Sequence, residues 1–324
     1  MYDSRELLEM VNGAIAALPY DRRPERLYRP VGYVLSLGGK RLRPVLLLLA
    51  YNLYRDSVEE ALPVALGIET YHNYTLLHDD LMDRAEVRRG KPCVHKVWDE
   101  NTAILSGDFM LVQAYERVAQ CPAGKLAQVM ALFTRTAIEI DEGQQYDMDF
   151  EQRLDVSEGE YIEMIRLKTS VLLACALRMG AMLADAPEAD CEALYRFGEK
   201  VGLAFQLQDD YLDVYGDFKT FGKRIGGDIL CNKKTYMLIN ALLKATPAQR
   251  EELERWLQAT DYDEEEKIRE VTRLYTEIGV DRIATSRMND FYREAEEWLD
   301  RVALPEERKR ILWQYAQSML GRNA

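Results

Sequence analysis

The chain has 324 residues, of which 48% are hydrophobic and 30% charged, and its formal net charge at pH 7 is −13. These proportions are typical of a folded globular protein, and the acidic balance argues against nucleic acid as a partner, because phosphate-backbone binding depends on clustered Lys and Arg. Phosphorylated substrates are not excluded, since bound cations often supply the positive charge in phosphate sites.

The amino terminus and the cysteines indicate a cytoplasmic setting. The first segment is acidic and amphipathic, without a cationic stretch followed by an apolar one, so it does not have the pattern of a signal peptide. No apolar stretch approaches the ~20 residues that a membrane-spanning helix needs. Five cysteines without CxxC spacing argue against a zinc site or a disulfide framework. We therefore expect a soluble, cytoplasmic protein in a reducing compartment.

Helical periodicity runs through almost the whole chain. Apolar residues recur at helical spacing, and no stretch shows sustained alternation of the kind that predicts strands. The ten prolines stand mostly at apparent helix boundaries. The pattern predicts an all-α fold of roughly a dozen helices, and the lack of a flexible linker predicts a single domain over residues 1–324. The charged segment 249–270 is interpreted as two solvated amphipathic helix faces joined by a turn near residues 261–263.

The first motif along the chain is GGKRLRP at residues 38–44. Its two glycines free the backbone, and Pro44 can open the following helix. Lys40 and Arg43 would then stand at a helix amino terminus, where free N–H groups and the helix dipole also attract anions. The motif therefore predicts an anion site.

The second motif, HDDLMD, ends an apolar helical stretch. Residues four apart on a helix lie about 6 Å apart along its axis, so Asp79 and Asp83 share a face. Extending that face backwards reaches Thr75 and His72. The resulting polar stripe predicts that this helix lines a polar cavity or meets solvent.

The third motif, FQLQDDYLD, repeats the arrangement 130 positions later, with Gln206, Asp209 and Asp213 on one helix face. Carboxylates this close together repel one another unless a cation compensates. Oxygen-only ligands suit Mg²⁺, which water and phosphate then complete. One DDxxD motif alone is commonly an exposed acidic face, but two in matching apolar contexts predict a magnesium site. The predicted metal ligands are Asp79, Asp80, Asp83, Asp209, Asp210 and Asp213.

Further cations accompany the acidic clusters. Arg88 and Arg89 follow the first cluster, Lys168 and Thr169 interrupt an amphipathic helix, and Lys223 and the pair Lys233–Lys234 follow the second cluster. Each of these is, by itself, more often a surface charge. Beside two metal-binding motifs, they indicate a site for phosphorylated substrates.

Taken in order, these motifs resemble the trans-type prenyl diphosphate synthases, or polyprenyl synthetases. The match runs from about Gly38 to Asn240 and includes ENTAILSGD at 100–108, GQQYD at 143–147 and GKRIGGD at 222–228. It implies an isoprenoid synthase-type helical bundle around a central cavity, a homodimer, and about three Mg²⁺ per active site. The implied reaction joins isopentenyl diphosphate to an allylic diphosphate, namely dimethylallyl, geranyl or farnesyl diphosphate.

The resemblance also implies a role for each matching residue. Asp79, Asp83 and Asp209 would be the principal metal ligands, and the other three aspartates would complete the metal shells directly or through water. The residues implied for the allylic diphosphate are Arg88, Lys168, Lys223 and Lys233. Those implied for isopentenyl diphosphate are Lys40, Arg43, His72 and Arg89. Thr169 and Gln206 would turn oxygen dipoles toward the allylic cation, Gln144 and Asp147 would line the site, and His78 is left structural.

Product length in the resembled family is set by bulky residues upstream of the first acidic cluster. Tyr74, Thr75 and Tyr71 lie five, four and eight residues before Asp79, and the motif has no insertion. The resemblance therefore suggests a C20 product, with C15 next and products of C30 or more less expected. One departure from the family pattern is Asn232, where a glycine usually precedes the lysine; asparagine also tolerates left-handed backbone, so Lys233 can keep its place.

Three other interpretations remain open at this point. A class I terpene cyclase would share the all-α fold and the first DDxxD motif, but it usually carries a different second metal motif and needs no GGKRLRP site. A non-catalytic subunit of a heteromeric synthase would tend to lose the acidic motifs, which are intact here. A helical scaffold that only binds divalent ions would not need the accompanying cations.

Overall fold

The computed structural model describes residues 1–216 and 225–320, and these are almost entirely helical. The sheet content in those ranges is one antiparallel hairpin of β1 (Val87–Arg88) and β2 (Lys91–Pro92). The prediction of an all-α fold is therefore confirmed. Lys223 lies outside the described residues. Among the described helices, none combines the length and apolar character that spanning a bilayer requires.

Helices account for most of the described residues. In chain order they are α1 (Ser4–Ala16), α2 (Glu25–Ser36), α3 (Leu42–Asn52), α4 (Leu62–Met82), α5 (Val94–Val97), α6 (Glu100–Val118), α7 (Leu126–Glu151), α8 (Glu158–Ile165), α9 (Val171–Leu183), α10 (Glu188–Tyr215), α11 (Gly227–Leu230), α12 (Tyr236–Lys244), α13 (Pro247–Gln258), α14 (Glu264–Ile278), α15 (Val280–Asp300) and α16 (Glu306–Leu320). A π-helical turn, Arg166–Ser170, connects α8 to α9. Such turns are rare and are frequent at functional sites.

The chain folds into two compact units, each made of segments that are separate in the sequence. The first comprises Met1–Thr134, Cys175–Tyr195 and Val302–Leu312, and the second comprises Arg135–Ala174, Arg196–Arg301 and Trp313–Ala324. A single domain over residues 1–324 stays a prediction.

The core of the first unit forms around α3, whose residues 44–52 are all buried. A helix that is apolar all round is expected to be enclosed by its neighbours. The long helix α4 packs closely on α6, because Gly67 leaves room for it: a Cβ there would lie 2.8 Å from the side chain of Val118. This packing fixes α4, which carries the first acidic cluster at its carboxyl end.

The core of the second unit gathers apolar side chains of α8, α10, α12, α14 and α15 around Leu207, Met237 and Leu274. Helix α12 begins at a side-chain cap in which Thr235 accepts a hydrogen bond from the N–H of Leu238. This cap places α12 directly after Lys233 and Lys234, so the core also fixes the position of that cationic loop.

The charged segment 249–270 is confirmed as parts of two amphipathic helices, α13 and α14. Asp263 caps α14 by accepting a hydrogen bond from the N–H of Glu266. Leu253 on α13 and Val271 on α14 face the core. One charged residue departs from the expected solvated pattern, since Lys267 is buried.

Candidate active site

The first acidic cluster lies at the carboxyl end of α4, in the first unit. Helix α4 ends at Met82, and its C-cap residue Asp83 is exposed, while Asp79 one turn earlier is partly buried. The four-residue spacing puts both on one helix face. Asp80 is buried and belongs to a different face. The structure therefore keeps Asp79 and Asp83 together and separates Asp80 from them.

Asp80 is held by Arg88 of the β1 strand. The Nε of Arg88 donates to both carboxylate oxygens, at 2.8 and 2.9 Å, and Nη2 lies 2.6 Å from Oδ1. Nη2 also lies 3.8 Å from Asp79. Burial acts to lower the pKa of Arg88, but the hydrogen bond and the charge of Asp80 outweigh it and raise that pKa. Arg88 is thus fixed, fully charged, beside the first acidic cluster.

The acidic residues of α4 fit Mg²⁺ in part. Within residues 1–216 and 225–320, no group of three His, Cys, Asp or Glu side chains forms a ready-made metal cluster. Mg²⁺ usually takes only one or two protein carboxylates and completes its octahedron with water and phosphate oxygens. Asp79 and Asp83 match that requirement, whereas both oxygens of Asp80 already accept hydrogen bonds from Arg88.

The GGKRLRP segment forms the loop that opens α3. Gly38, Gly39 and Arg41 have positive φ angles of 79°, 129° and 48°, and α3 begins immediately afterwards at Leu42. Arg43 consequently lies in the first turn of a helix, as the motif predicts. Lys40 is exposed.

Arg43 and His72 lie together in the first unit. Nη1 of Arg43 lies 3.1 Å from Nε2 of His72. Burial lowers the pKa of His72 well below its ordinary value, and the charge of Arg43 lowers it further. The imidazole is therefore neutral, and its Nε2 accepts the hydrogen bond that Arg43 donates. The buried Nε of Arg43 has no hydrogen-bond partner among the described residues.

Arg89 belongs to the same cationic group. It donates a hydrogen bond to the carbonyl of Gly38. Its guanidinium packs against Gly39, where a Cβ would lie 2.8 Å from Cζ. Burial lowers the pKa of Arg43 to about 10, and the neighbouring charge of Arg89 contributes to that shift. Neighbouring cations whose charges lower the pKa of a buried guanidinium make a site that favours an anion.

Arg41 and Glu69 are functional-site neighbours that the sequence patterns missed. The buried Arg41 pairs with the buried Glu69 at 2.7 Å and donates to the carbonyl of Leu35 at 2.5 Å. Asn73 donates to the same Glu69 oxygen at 2.9 Å. A signal was available, because a lone Glu in the apolar part of α4 must be paired if it is buried.

Two of the residues predicted to set product length, Tyr71 and Tyr74, belong to an aromatic row in the first unit. Tyr71 is fully buried and its ring packs against those of Phe133, 5.2 Å away, and Tyr74, 5.4 Å away. Tyr74 in turn packs against His78, at 4.9 Å. Thr75 donates a hydrogen bond to the carbonyl of His72. His78 also lies close against Gly107 of α6, which agrees with a structural role.

The second acidic cluster lies near the end of α10, in the second unit. Asp210 is buried and accepts hydrogen bonds from the Tyr161 hydroxyl, the N–H of Tyr236 at 3.1 Å and Nε2 of Gln206 at 3.2 Å. Burial raises the pKa of Asp210 to about 7, and the charge of Asp228 adds to the effect.

The other two aspartates of this cluster share a helix face. Asp209 is partly buried, and Asp213 accepts a hydrogen bond from the N–H of Asp228 at 3.0 Å. In sharing a helix face, Asp209 and Asp213 correspond to Asp79 and Asp83, although Asp213 is buried and Asp83 is exposed. Asp210 resembles Asp80 in being buried and hydrogen-bonded to other segments. Tyr161, Tyr236 and Asp228 were not foreseen, because they come from other segments of the second unit.

Two predicted cations of the second unit converge on Asp147. Lys168 lies 2.6 Å and Lys233 lies 4.0 Å from its carboxylate. Burial acts to raise the pKa of Asp147, but the charges of Lys233 and Lys168 lower it below its ordinary value. Lys168 stands in the π-helical turn, which lies tightly against α7 at Gly143. The structure thus brings together Lys168, Lys233 and the predicted site-lining Asp147.

Thr169 and Gln206 are also brought together. The Thr169 hydroxyl donates to Oε1 of Gln206 at 3.3 Å, while the amide nitrogen of Gln206 donates to Asp210. A line of hydrogen bonds therefore runs from the π-helical turn into the second acidic cluster. Such a line fixes the orientation of the Gln206 amide.

Known proteins resemble this chain in sequence and in fold. The family model described as polyprenyl synthetase matches residues 24–275. The short chain isoprenyl diphosphate synthase of Methanocaldococcus jannaschii is 44% identical, with 69% of this chain and 68% of that protein covered. The geranylgeranyl diphosphate synthase of Methanosarcina mazei is 43% identical, with 72% and 73% covered. The crystal structure of geranylgeranyl pyrophosphate synthetase from Pyrococcus horikoshii superposes with a TM-score of 0.91 at 32% identity, covering 99% of this chain and 97% of that chain.

An all-α fold with two DDxxD motifs and separate groups of cations defines an isoprenoid synthase-type enzyme. Within that class, the chain belongs to the polyprenyl synthetase family, and it is a prenyl diphosphate synthase. The family, the fold and the enzyme class predicted from the sequence are confirmed. The role of each site residue stays a prediction.

Proposed function

We propose that this enzyme condenses isopentenyl diphosphate with an allylic diphosphate, which is dimethylallyl, geranyl or farnesyl diphosphate, and makes a short trans-prenyl diphosphate of C15 to C20, with C20 preferred. The observation that carries the proposal is the presence of two distinct cation groups. Arg43 and Arg89 surround a neutral His72 in the first unit, and Lys168 and Lys233 flank Asp147 in the second. Two cation groups suit a reaction with two diphosphate substrates.

Each group is assigned to one substrate. Arg43, Arg89, His72 and Lys40 bind isopentenyl diphosphate. Lys168 and Lys233 bind the allylic diphosphate, and the family resemblance adds Arg88 and Lys223. Asp79, Asp83 and Asp209 would hold Mg²⁺, about three ions per site. When bound, Mg²⁺ neutralises charge on the diphosphate that leaves.

The reaction needs no nucleophile from the protein. The allylic C–O bond breaks and its electron pair goes to the diphosphate, so cations already in place stabilise the transition state more than the ground state. The double bond of isopentenyl diphosphate then forms the new C–C bond with the allylic cation. The released diphosphate accepts the proton that is lost. The oxygens of Thr169 and Gln206 face the developing cation, and water must be excluded during its lifetime.

The preference for a C20 product rests on an aromatic residue of α4 and on the name of a similar protein. A single aromatic residue, Tyr74, stands five positions before Asp79 and lies in the row with Tyr71. The similar protein from Methanosarcina mazei is named geranylgeranyl diphosphate synthase, and a geranylgeranyl group is a C20 chain. The proposal places the enzyme in the cytoplasm, where its five free thiols would stay reduced.

One incubation series tests the proposal. Purified protein is incubated with Mg²⁺, isopentenyl diphosphate and each of the three allylic primers, and the dephosphorylated products are sized by chromatography. We expect elongation that ends mainly at C20. A lack of elongation with all three primers would overturn the proposal, and hydrocarbon formed from an allylic diphosphate alone would indicate a terpene cyclase instead.

The proposal includes a homodimer, for which α6 offers a surface. Ile104, Leu105 and Val112 on α6 are 45%, 60% and 68% exposed. Apolar side chains exposed in this way on one helix are characteristic of a protein–protein interface. A second copy of the chain is the partner that the family resemblance implies.

A further inference from the structure

The loop that carries Lys233 has an unusual backbone. Asn232, immediately before it, has φ of 53°, in the left-handed region that glycine adopts freely and other residues rarely do. The side-chain amide nitrogen of Asn232 donates to the carbonyl of Leu257 at 3.1 Å, at the end of α13. The side chain of Asn232 is therefore used to hold the backbone where a glycine would need no such support.

Lys267 of α14 supplies the second anchor. Its Nζ donates to Oδ1 of Asn232 at 2.8 Å and lies 4.3 Å from the centroid of the Tyr262 ring. The residue is only 1% exposed, and burial lowers its pKa. In the part of the chain that the structure describes, Lys267 forms no ion pair with a carboxylate. A buried ammonium without a carboxylate is costly, so an acceptor as specific as Asn232 accounts for its position.

The hydrogen bonds of Asn232 extend into the loop that carries Lys233 and Lys234. The carbonyl of Asn232 accepts a hydrogen bond from Nζ of Lys234 at 3.0 Å, and the N–H of Lys233 donates to the carbonyl of Asp228 at 2.9 Å. A water-sized cavity is lined by Asn232, Lys233 and Lys267 together. Movement of Asn232 would therefore shift the backbone from which Lys233 projects.

We infer that Lys267 is a positioning residue for the allylic diphosphate site: its hydrogen bond holds Asn232 in left-handed backbone and so fixes where Lys233 stands. The inference rests on the proposed role of Lys233. It gives the charged segment α13–α14 a function, since both anchors of Asn232 come from these helices.

A double-mutant cycle on the full-length enzyme tests this inference. Lys267→Met removes the donor and keeps the apolar stem. We expect it to raise the KM for the allylic diphosphate about tenfold, a change equivalent to about 1.4 kcal/mol, and to leave the KM for isopentenyl diphosphate unchanged. In an Asn232→Gly background the same substitution should change the allylic KM less than about twofold, because glycine adopts the left-handed conformation without a tether. Lys267→Gln, which keeps a donor, should restore most of the lost affinity.

Control variants distinguish a failure of this inference from a failure of the proposed role of Lys233. Lys309→Met removes another buried lysine, one that pairs with Glu306 in the first unit, and should leave both KM values unchanged. Lys233→Ala is measured in parallel, with thermal unfolding of every variant. If Lys233→Ala leaves the allylic KM unchanged, the proposed role of Lys233 fails and the inference fails with it. If Lys233→Ala raises that KM while Lys267→Met has the same effect in the wild-type and Asn232→Gly backgrounds, the inference alone is overturned.

Discussion

The aspartates of the two acidic clusters differ in what surrounds them. Asp79 and Asp83 stand on one face of α4, and Asp209 and Asp213 stand on one face of α10. The middle aspartates are held differently: Asp80 accepts hydrogen bonds from Arg88, and Asp210 accepts them from Tyr161, Tyr236 and Gln206. In each DDxxD motif the first and last aspartates therefore share a helix face and the middle one is hydrogen-bonded to other segments. In the second motif the last aspartate, Asp213, is also held, by the N–H of Asp228.

The first prediction concerns the outer aspartates. Asp79→Asn and Asp209→Asn should each reduce kcat for elongation at least about a hundredfold, because each removes the negative charge of a proposed metal ligand and ion-assisted charge stabilisation is worth several kcal/mol. Steady-state assays with radiolabelled isopentenyl diphosphate measure the effect. Asp300→Asn, a substitution of an exposed aspartate at the end of α15, is the matched control and should leave kcat unchanged. Activity within about threefold of wild type would remove Asp79 or Asp209 from the metal site.

The second prediction concerns the neutral His72. Its pKa in the folded protein lies well below 6.5, so the unfolded chain binds a proton that the folded one does not. The free energy of unfolding should therefore fall as the pH drops below about 6.5, by up to about 1.4 kcal/mol per pH unit from this residue. Urea unfolding at pH 7.5 and pH 5.5 measures it. His72→Asn should lose less stability over that interval, and equal losses in both proteins would show that His72 titrates normally.

At the level of elements, the loop before α3 and the hairpin β1–β2 together form a cationic group. Arg89 of the hairpin turn packs on Gly39 and donates to Gly38, while Arg43 meets His72 of α4. The buried pair of Arg41 with Glu69 fixes the loop to α4. Each of these elements contributes a charged side chain, and only the packing of the first unit brings these side chains together.

The third prediction uses the two glycines of that loop. Gly39→Ala would place a Cβ 2.8 Å from Cζ of Arg89 and should displace the guanidinium. We expect the KM for isopentenyl diphosphate to rise about tenfold, consistent with loss of one charge-assisted hydrogen bond worth roughly 1.5–3 kcal/mol. Gly38→Ala is the matched control, because it has positive φ but open space around the Cβ. Equal effects of both substitutions would attribute the change to backbone strain rather than to Arg89.

The fourth prediction belongs to the aromatic row of α4. Tyr74→Ala should lengthen the product beyond that of the wild type, because it removes a large ring from the row that continues to the buried Tyr71 and Phe133. Chromatography of dephosphorylated products gives the chain lengths. Thr75→Ala, one position further along, removes far less volume and should change the distribution less. An unchanged distribution in Tyr74→Ala would show that another residue limits the product.

At the scale of the whole molecule, the acidic balance of the chain and its anionic substrates are compatible because charge is distributed unevenly. The cations cluster at Arg43 and Arg89 in one unit and at Lys168 and Lys233 in the other, while the acidic excess includes the two aspartate clusters. Much of the remaining acidic charge is exposed, as in the first turn of α14.

The fifth prediction concerns assembly. Leu105→Glu places a charge on the exposed apolar surface of α6 and should shift a dimer toward the monomer, because an unpaired charge at an interface is costly. Light scattering coupled to size-exclusion chromatography gives the mass. Leu154→Glu changes a similarly exposed leucine in the second unit and should leave the mass unchanged. A monomeric wild type, or a dimer unaffected by Leu105→Glu, would contradict the proposed interface.

The amino-acid sequence by itself determined the fold class, the family and the motifs that matter. It could do so because helical periodicity is a local property, and because a spacing of four residues places Asp79 with Asp83, and Asp209 with Asp213, on one face of any helix. The placement of Arg43 in a first helical turn could be predicted from the sequence for the same reason.

Only the tertiary structure decided which polar groups are paired. Arg41 meets Glu69 across 28 residues, Tyr161 meets Asp210 across 49, and Lys267 meets Asn232 across 35. No local spacing specifies such pairs, since they depend on which helices pack together and on how far each helix is shifted along its axis relative to its neighbour. Burial then decides protonation, keeping His72 neutral and raising the pKa of Asp210 to about 7, because removal from water penalises the charged form.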